Sequence, residues 1–250
     1  MLAYRATDSL ADISTNVSLE AVAAFEQKGA SPVGRLVAVA NGIDTDRFFS
    51  DGRVRELTRT SEKVCLDEKI IVAVGRLAEA KDYPNLLRAF AQMDKQGKTV
   101  RLWIAGGGDL LVGLLSLSEE LGISKDVSFL GMRSDIPALL NAADVYVLSS
   151  AWEGLPLVVG ESMACEKVVV ATNCGGVREV LGDCGFLVPA GDPGLLAAGL
   201  SQALKLDRAQ ALALGVRARA RVVDHYSLKI AVAKWNEIYK TSDPGKFVGI

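Results

Sequence analysis

Two carboxylates, Glu153 and Glu161, stand eight positions apart in the segment Glu153-Gly-Leu-Pro-Leu-Val-Val-Gly-Glu161. An apolar run, 145–148, precedes them. Gly154 and Pro156 mark a turn, and proline suits the first position of a helix. Glu153 then sits at the mouth of the turn and Glu161 in the second helical turn. Between them the helix start presents free backbone N–H groups, which attract a phosphate. An acid able to bond a ribose, a phosphate seat and an acid near a sugar together make a nucleotide-sugar site. Acids favour helix starts in any case, so the spacing alone decides nothing and the neighbouring loops carry the weight.

Three further loops follow apolar runs. Val74-Gly75-Arg76-Leu77 ends one run, with Lys81-Asp82 shortly after it. Arg76 offers a planar fork and Lys81 a point charge, and both could reach a diphosphate. Ala105-Gly-Gly-Gly-Asp109 is a tight turn of the dinucleotide kind without the G-x-G-x-x-G spacing. Leu130-Gly131-Met132-Arg133 ends a short run, and its backbone could meet the edge of a base. Each loop has a plain alternative: exposed cations are ordinary, and a strand-to-helix turn uses glycine for its own sake.

The elements that must hold these loops are legible as alternation. Strands are expected at 36–39, 70–74, 102–105, 127–130, 145–148, 168–171 and 185–188. They are rich in Val, Ile and Leu and hardly alternate in polarity, as strands buried on both faces do. Helices are expected at 84–93, 110–121, 136–141, 156–164 and 193–204. This order argues for an α/β fold with a doubly wound, Rossmann-like parallel sheet. Such sheets bind ligands beyond the carboxyl ends of their strands. Two consecutive helices, 208–223 and 227–240, close the chain, with Ser227 as an N-cap and Ile230, Trp235, Ile238 and Tyr239 facing the core. Residues 243–250 read as a loose tail. Near the start, 13–17 reads as a strand and 18–27 as a helix, and Asn41-Gly-Ile-Asp44 as a turn or hinge.

The chain has 250 residues, half of them hydrophobic, and a formal net charge of -2. That charge gives no support for nucleic-acid binding, and Arg217, Arg219 and Arg221 read as a solvated helix face. The four cysteines show no C-x-x-C spacing and there is one histidine, His225, which argues against a zinc site. Cys165 and Cys174 read as small core residues in a reducing, cytoplasmic compartment. No run reaches the length of a membrane span, and the first residues lack the apolar core of a signal peptide. The expectation is a cytoplasmic protein, or one peripheral to the inner face of the membrane.

Taken in order, Asn-Gly-Ile-Asp44, Gly-Arg-Leu77 with Lys81-Asp82, Ala-Gly-Gly-Gly108, Phe-Leu-Gly131, Ala-Asp144, Ser-Ser150, Glu153-x7-Glu161, Gly-Gly176 and Glu179 resemble family 4 of the retaining glycosyltransferases. This is the large group-1 family of nucleotide-sugar enzymes with the GT-B fold, and the resemblance covers roughly residues 8 to 240. It implies that Arg76 and Lys81 hold the donor diphosphate beside Gly75. Glu161 would bond the ribose and Glu153 would sit against the donor sugar. Backbone groups of Gly154, Leu155, Pro156 and Leu157 would contact the sugar and distal phosphate, and Gly131 to Arg133 would border the base. No metal or other cofactor is implied, because cations and helix-terminal amides take that role. The partners implied are a nucleotide-diphosphate sugar and a glycan or lipid-linked acceptor, in surface polysaccharide or lipopolysaccharide synthesis.

The sequence departs from that pattern in two ways. Gly160 and Ser162 flank the second acid where the family usually has Leu and Ala, and Gly160 loosens the helix by about 1 kcal/mol. Only the last strand–helix unit of the family's acceptor domain is recognisable. The expected division is 1–40 as a remnant of that domain, 41–225 as the donor-binding domain and 226–250 as a crossing helix and tail. A donor-binding fragment, or one half of a split enzyme, is therefore the alternative to a complete transferase. A nucleotide-sugar epimerase of the same fold is the third reading. It is disfavoured because His225 lies far from every ligand loop.

Overall fold

The structure is a computed structural model that describes residues 4, 10–65 and 67–240. The expected tail at 243–250 and the extreme start of the chain lie outside the described residues. A small unit comes first: β1 (Ser14–Asn16), α1 (Leu19–Gln27) and β2 (Leu36–Ala38), with the two strands parallel. A polar helix, α2 (Gly52–Ser61), leads into the main sheet.

There β3 (Lys69–Val74), α3 (Tyr83–Gln92), β4 (Val100–Ala105), α4 (Leu111–Glu120) and β5 (Val127–Gly131) form one half. The other half is α5 (Ile136–Ala142), β6 (Val145–Leu148), α6 (Leu157–Ala164), β7 (Val168–Thr172), α7 (Val177–Leu181) and β8 (Phe186–Val188). The strands are all parallel in the order β5-β4-β3-β6-β7-β8, the doubly wound arrangement expected.

Alternate strand residues feed two cores because side chains leave a strand on opposite faces. Ile71, Leu102, Ile104 and Val170 pack with Leu86, Phe90 and Leu114. Ile70, Val72, Tyr146 and Val169 pack with Leu139, Met163 and Leu181. Both faces are covered, which is why the strand sequences are continuous apolar runs. Three helices close the fold: α8 (Pro193–Lys205), α9 (Arg208–Tyr226) and α10 (Leu228–Lys240).

Several expectations need correction. Helix α2 shows no apolar period. It docks through arginines: Arg55 reaches the carbonyls of Asn141, Ala142 and Ala143 and, at 2.9 Å, Asp144, while Arg59 is 5% exposed and donates to Glu68 O. Helix α7, with five residues, is too short to show a period.

Arg219 and Arg221 do not form a solvated face. Arg219 donates to the carbonyls of Phe48 and Ala164, and Arg221 to those of Glu179 and Val180, which ties α9 to α6, α7 and the loop before α2. Tyr239 does not face the core. It is 79% exposed and stacks on Trp235 at 5.8 Å, while Ala231 and Ile238 supply the buried contacts of α10.

The segment from Asn41 to Asp44 meets the α9–α10 junction. Ile43 N donates to Tyr226 O at 2.7 Å and Leu228 N to Ile43 O at 2.9 Å. A Cβ at Gly42 would lie 2.7 Å from Leu228 Cα, so the close approach of the two segments requires glycine.

Candidate functional site

Strand order reverses between β3 and β6, and an open parallel sheet leaves its crevice at that switch point, beyond the carboxyl ends. The loop after β3 carries Gly75, Arg76 and Lys81, and the loop after β6 carries Ser149, Ser150 and Glu153. The two loops are bonded together. Lys81 Nζ pairs with Glu153 Oε1 at 2.6 Å, and the Ser150 hydroxyl donates to the same oxygen at 2.6 Å. Ser149 Oγ donates to Lys81 O and Ala151 N to Ala80 O. Tyr83, buried, fixes the strand end by donating to Gly75 O at 3.0 Å, and burial pushes its phenol well above the ordinary value.

The glycines the sequence offers are used for close approach. A Cβ at Gly106 would lie 1.9 Å from Gly75 O, and one at Gly108 would lie 2.4 Å from Leu77 O. The glycine-rich turn after β4 thus packs directly on the loop of Arg76. A cavity of about 670 Å³ opens there, lined by Gly75, Arg76, Gly107, Met132, Arg133 and Ile136 among others. Arg76 is exposed and makes no ion pair among the described residues. Arg133 is pinned by Asp135 at 2.7 Å and Glu62 at 3.1 Å, and these bonds raise its pKa. Its side chain is committed by these bonds, while Met132 and Arg133 line the cavity.

Helix α6 begins one residue later than expected. Pro156 is the N-cap, not the first helical residue, and no side chain caps the helix. Val159 N donates to Pro156 O, and the amides of Leu157 and Val158 are left toward an anion beside the exposed Gly154 and Leu157, with Leu155 turned in toward the core. Glu161 lies in the second turn, half-buried. Its carboxylate makes no hydrogen bond or ion pair among the described residues. Burial raises its pKa, against the lowering charge of Arg47. The buried Tyr146 hydroxyl on β6 has no hydrogen-bond partner in the structure, and its pKa is raised first by burial, then by the charges of Tyr83, Glu153 and Glu161. Both acids therefore bear on one end of β6.

Gly160 has a reason the sequence did not show: a Cβ there would lie 2.9 Å from Ile43 Cγ1 and Cδ1, so the glycine makes room for Ile43. The buried Ser162 returns its hydroxyl to Val158 O at 2.6 Å.

Cys174 packs against the edge of the core rather than within it. It is half-buried beside the site, with Sγ 3.3 Å from Ser150 O, whereas Cys165 is fully buried and its thiol is pushed up to about 12 by that burial. The next residue, Gly175, has φ of +52°, and a Cβ there would lie 2.0 Å from Glu153 O. Thr172, Ser150, Cys174 and Gly175 thus frame Glu153. Of these, Ser150 and Gly175 fall within sequence motifs, and the sequence assigns neither a role.

Asp144, also in a motif, lies at the opposite end of β6. It accepts from Ile70 N at 2.8 Å and pairs with Arg55, Arg59 and Lys69, so it anchors the strand rather than the site. Among the described residues, no group of three or more His, Cys, Asp or Glu side chains could hold a metal ion, and no helix is long and apolar enough to cross a membrane.

The family model "Glycosyl transferases group 1" matches residues 54–221. N-acetyl-alpha-D-glucosaminyl L-malate synthase of Bacillus anthracis is 30% identical over 211 residues, covering 82% of this chain and 55% of that protein. The lipopolysaccharide core biosynthesis glycosyltransferase LpsE of Rhizobium meliloti is 31% identical over 182 residues, covering 72% of this chain and 52% of its own length. The chain spans about half the length of the curated relatives it matches. Among solved structures, Anabaena HepE in complex with UDP and glucose superposes with a TM-score of 0.88 at 25% identity, over 96% of this chain and 66% of that one.

Proposed function

The chain belongs to the group 1 glycosyl transferases, and from that premise we propose that it supplies the donor half of a retaining transferase that uses a nucleotide-diphosphate sugar. The observation that carries this is the Lys81–Glu153–Ser150 cluster at the switch point, with the unpaired Arg76 beside it. An incoming diphosphate meets Arg76, Lys81 and the uncapped start of α6, three sources of positive potential on one anion. Once Lys81 turns to the phosphate, Glu153 is left free to face the sugar. Glu161, whose carboxylate has no partner among the described residues, accepts the ribose hydroxyls, and the backbone of Gly131 to Arg133 borders the base.

The acceptor hydroxyl oxygen bonds to the anomeric carbon on the face from which the diphosphate departs. The carbon–oxygen bond to phosphate breaks, and the acceptor's proton passes to the leaving phosphate oxygen. Arg76 and Lys81 neutralise the charge that develops there, so the reading uses no metal. The HepE complex with UDP and glucose supports a uridine donor. The LpsE resemblance supports a part in lipopolysaccharide or other surface polysaccharide synthesis, and the reading takes a glycan or lipid-linked acceptor, with action in the cytoplasm or at the inner membrane face.

A second reading is a donor-binding module that turns over only with a complementary chain. It is favoured by the β1–β2 sheet, whose outer edges carry no further strand among the described residues. Incubation with UDP-, GDP- and ADP-sugars, with proton NMR of the product's anomeric centre, tests the proposal. A product of retained configuration supports it, and an inverted product sinks it. Donor binding without any transfer, with turnover restored by a second chain, selects the module.

A further inference from the structure

Helix α1 starts with amide groups that its own sequence satisfies only in part. Ser18 Oγ accepts from Ala21 N at 3.1 Å. The amides of Leu19 and Glu20 point instead to the carboxylate of Glu179, 160 residues along the chain: Leu19 N lies 3.0 Å from Oε2 and Glu20 N 2.8 Å from Oε1. A carboxylate at the positive end of a helix, with each oxygen taking one amide, is a strong cap.

Glu179 is itself fixed from behind. Its carbonyl accepts from Arg221 Nη2 at 2.7 Å and from the Tyr226 hydroxyl at 2.5 Å, and Arg221 Nε also holds Val180 O at 2.9 Å. The segment leading into α1 rests on the turn that carries Glu153. A Cβ at Gly176 would lie 3.0 Å from Ser18 Cβ and 2.9 Å from Gly154 O, and one at Gly154 would lie 3.5 Å from Val17 Cγ2. Ser18 is only 2% exposed at this contact.

We infer that Glu179 is a positioning residue: its carboxylate clamps the start of α1 and so sets the first strand–helix–strand unit against the loop of Glu153. The clamp joins α1 to the Gly154–Gly176 contact and, through the backbone of Glu179, to the end of α9. Its consequence for chemistry rests on the glycosyltransferase reading above, in which the unit before residue 40 approaches the donor from this side. Loss of the clamp leaves the diphosphate contacts of Arg76 and Lys81 in place and loosens the approach. The turnover number then falls while donor affinity stays.

The test uses the full chain with Glu179→Ala and Glu179→Gln. Glutamine keeps one acceptor and no charge, so it can serve one of the two amides. Hydrogen exchange at Leu19 and Glu20 is expected to quicken about tenfold or more in both variants, the loss of one or two charge-assisted bonds, while protection across β3, β4 and β6 is unchanged. With a nucleotide-sugar donor, kcat is expected to fall about tenfold with donor KM within about twofold. Unchanged exchange at α1 overturns the inference. So does loss of protection throughout the sheet in both variants, or a raised donor KM with unchanged kcat. If the unaltered chain neither binds nor turns over any nucleotide sugar, the glycosyltransferase reading falls, and the exchange rates at Leu19 and Glu20 still decide the clamp.

Discussion

Replacing Glu161 by glutamine should stabilise the empty protein and weaken its grip on nucleotide. The carboxylate is half-buried in the second turn of α6, with no internal partner among the described residues. Burial raises its pKa above the ordinary 4.5, and the charge of Arg47 only partly offsets that. For an acid raised in the folded state, the folded chain holds its proton longer than the unfolded chain does. Stability therefore falls as pH rises from the ordinary value through the raised one, and the penalty is complete above it.

Glutamine removes that penalty at similar volume. A gain of about 0.5–2 kcal/mol is the usual size for relieving a functional group held at a stability cost, and for a chain of this length each kcal/mol lifts Tm by about 2–4 °C. The same change withdraws a charged acceptor from the ribose. Bonds to a charged group contribute about 1.5–3 kcal/mol, roughly a ten- to hundredfold loss of affinity. Thermal unfolding at neutral pH and at about pH 5 gives the first quantity, with the gap between the proteins narrowing at the lower pH. Calorimetry gives the second. A lower Tm together with unaltered nucleotide affinity would refute the reasoning and make Glu161 an ordinary helix residue.

Lys81→Met removes the only cation paired with Glu153 among the described residues. Stability should drop by about 1–3 kcal/mol and nucleotide diphosphate affinity by at least about tenfold, read by denaturant melts and calorimetry. Gly175→Ala forces a side chain onto φ of +52° and to 2.0 Å from Glu153 O. It should cost about 1–3 kcal/mol and shift Glu153, seen as a lowered Tm together with weakened binding. Lys167 is buried at the foot of the sheet. Burial, and then the charge of Arg55, depress its amine to about 8 from 10.5. A base with a depressed folded value sheds its proton before the unfolded chain does, so stability should rise between about 8 and 10.5. Lys167→Met should raise Tm at neutral pH and flatten that rise in a pH series of melts.

The sheet was legible because both its faces are buried. Seven of the eight strands carry enough Val, Ile and Leu to stand out, and the loops after β3, β4 and β6 fell where the glycines said. What stayed hidden was held by polar contacts across the chain. Helix α2 docks by guanidinium–carbonyl bonds, which leave no apolar stripe, and the same holds for Arg219 and Arg221 on α9. At the site, the residue types Glu153, Lys81 and Arg76 could be read from spacing, because each follows a strand end. The Lys81–Glu153 pairing could not, since it joins residues 72 apart. Gly160 looked like a weakness of its helix. Only the position of Ile43, more than a hundred residues earlier, shows what the glycine makes room for.

The donor site is tested most directly by titrating UDP, GDP and ADP into the chain by calorimetry, alongside Arg76→Ala. Arg76 is exposed and makes no ion pair among the described residues, so its loss should leave the protein folded. The account predicts that one of the three nucleotides binds and that Arg76→Ala weakens it at least about tenfold. Failure of all three in a folded sample, or binding indifferent to Arg76, would contradict it.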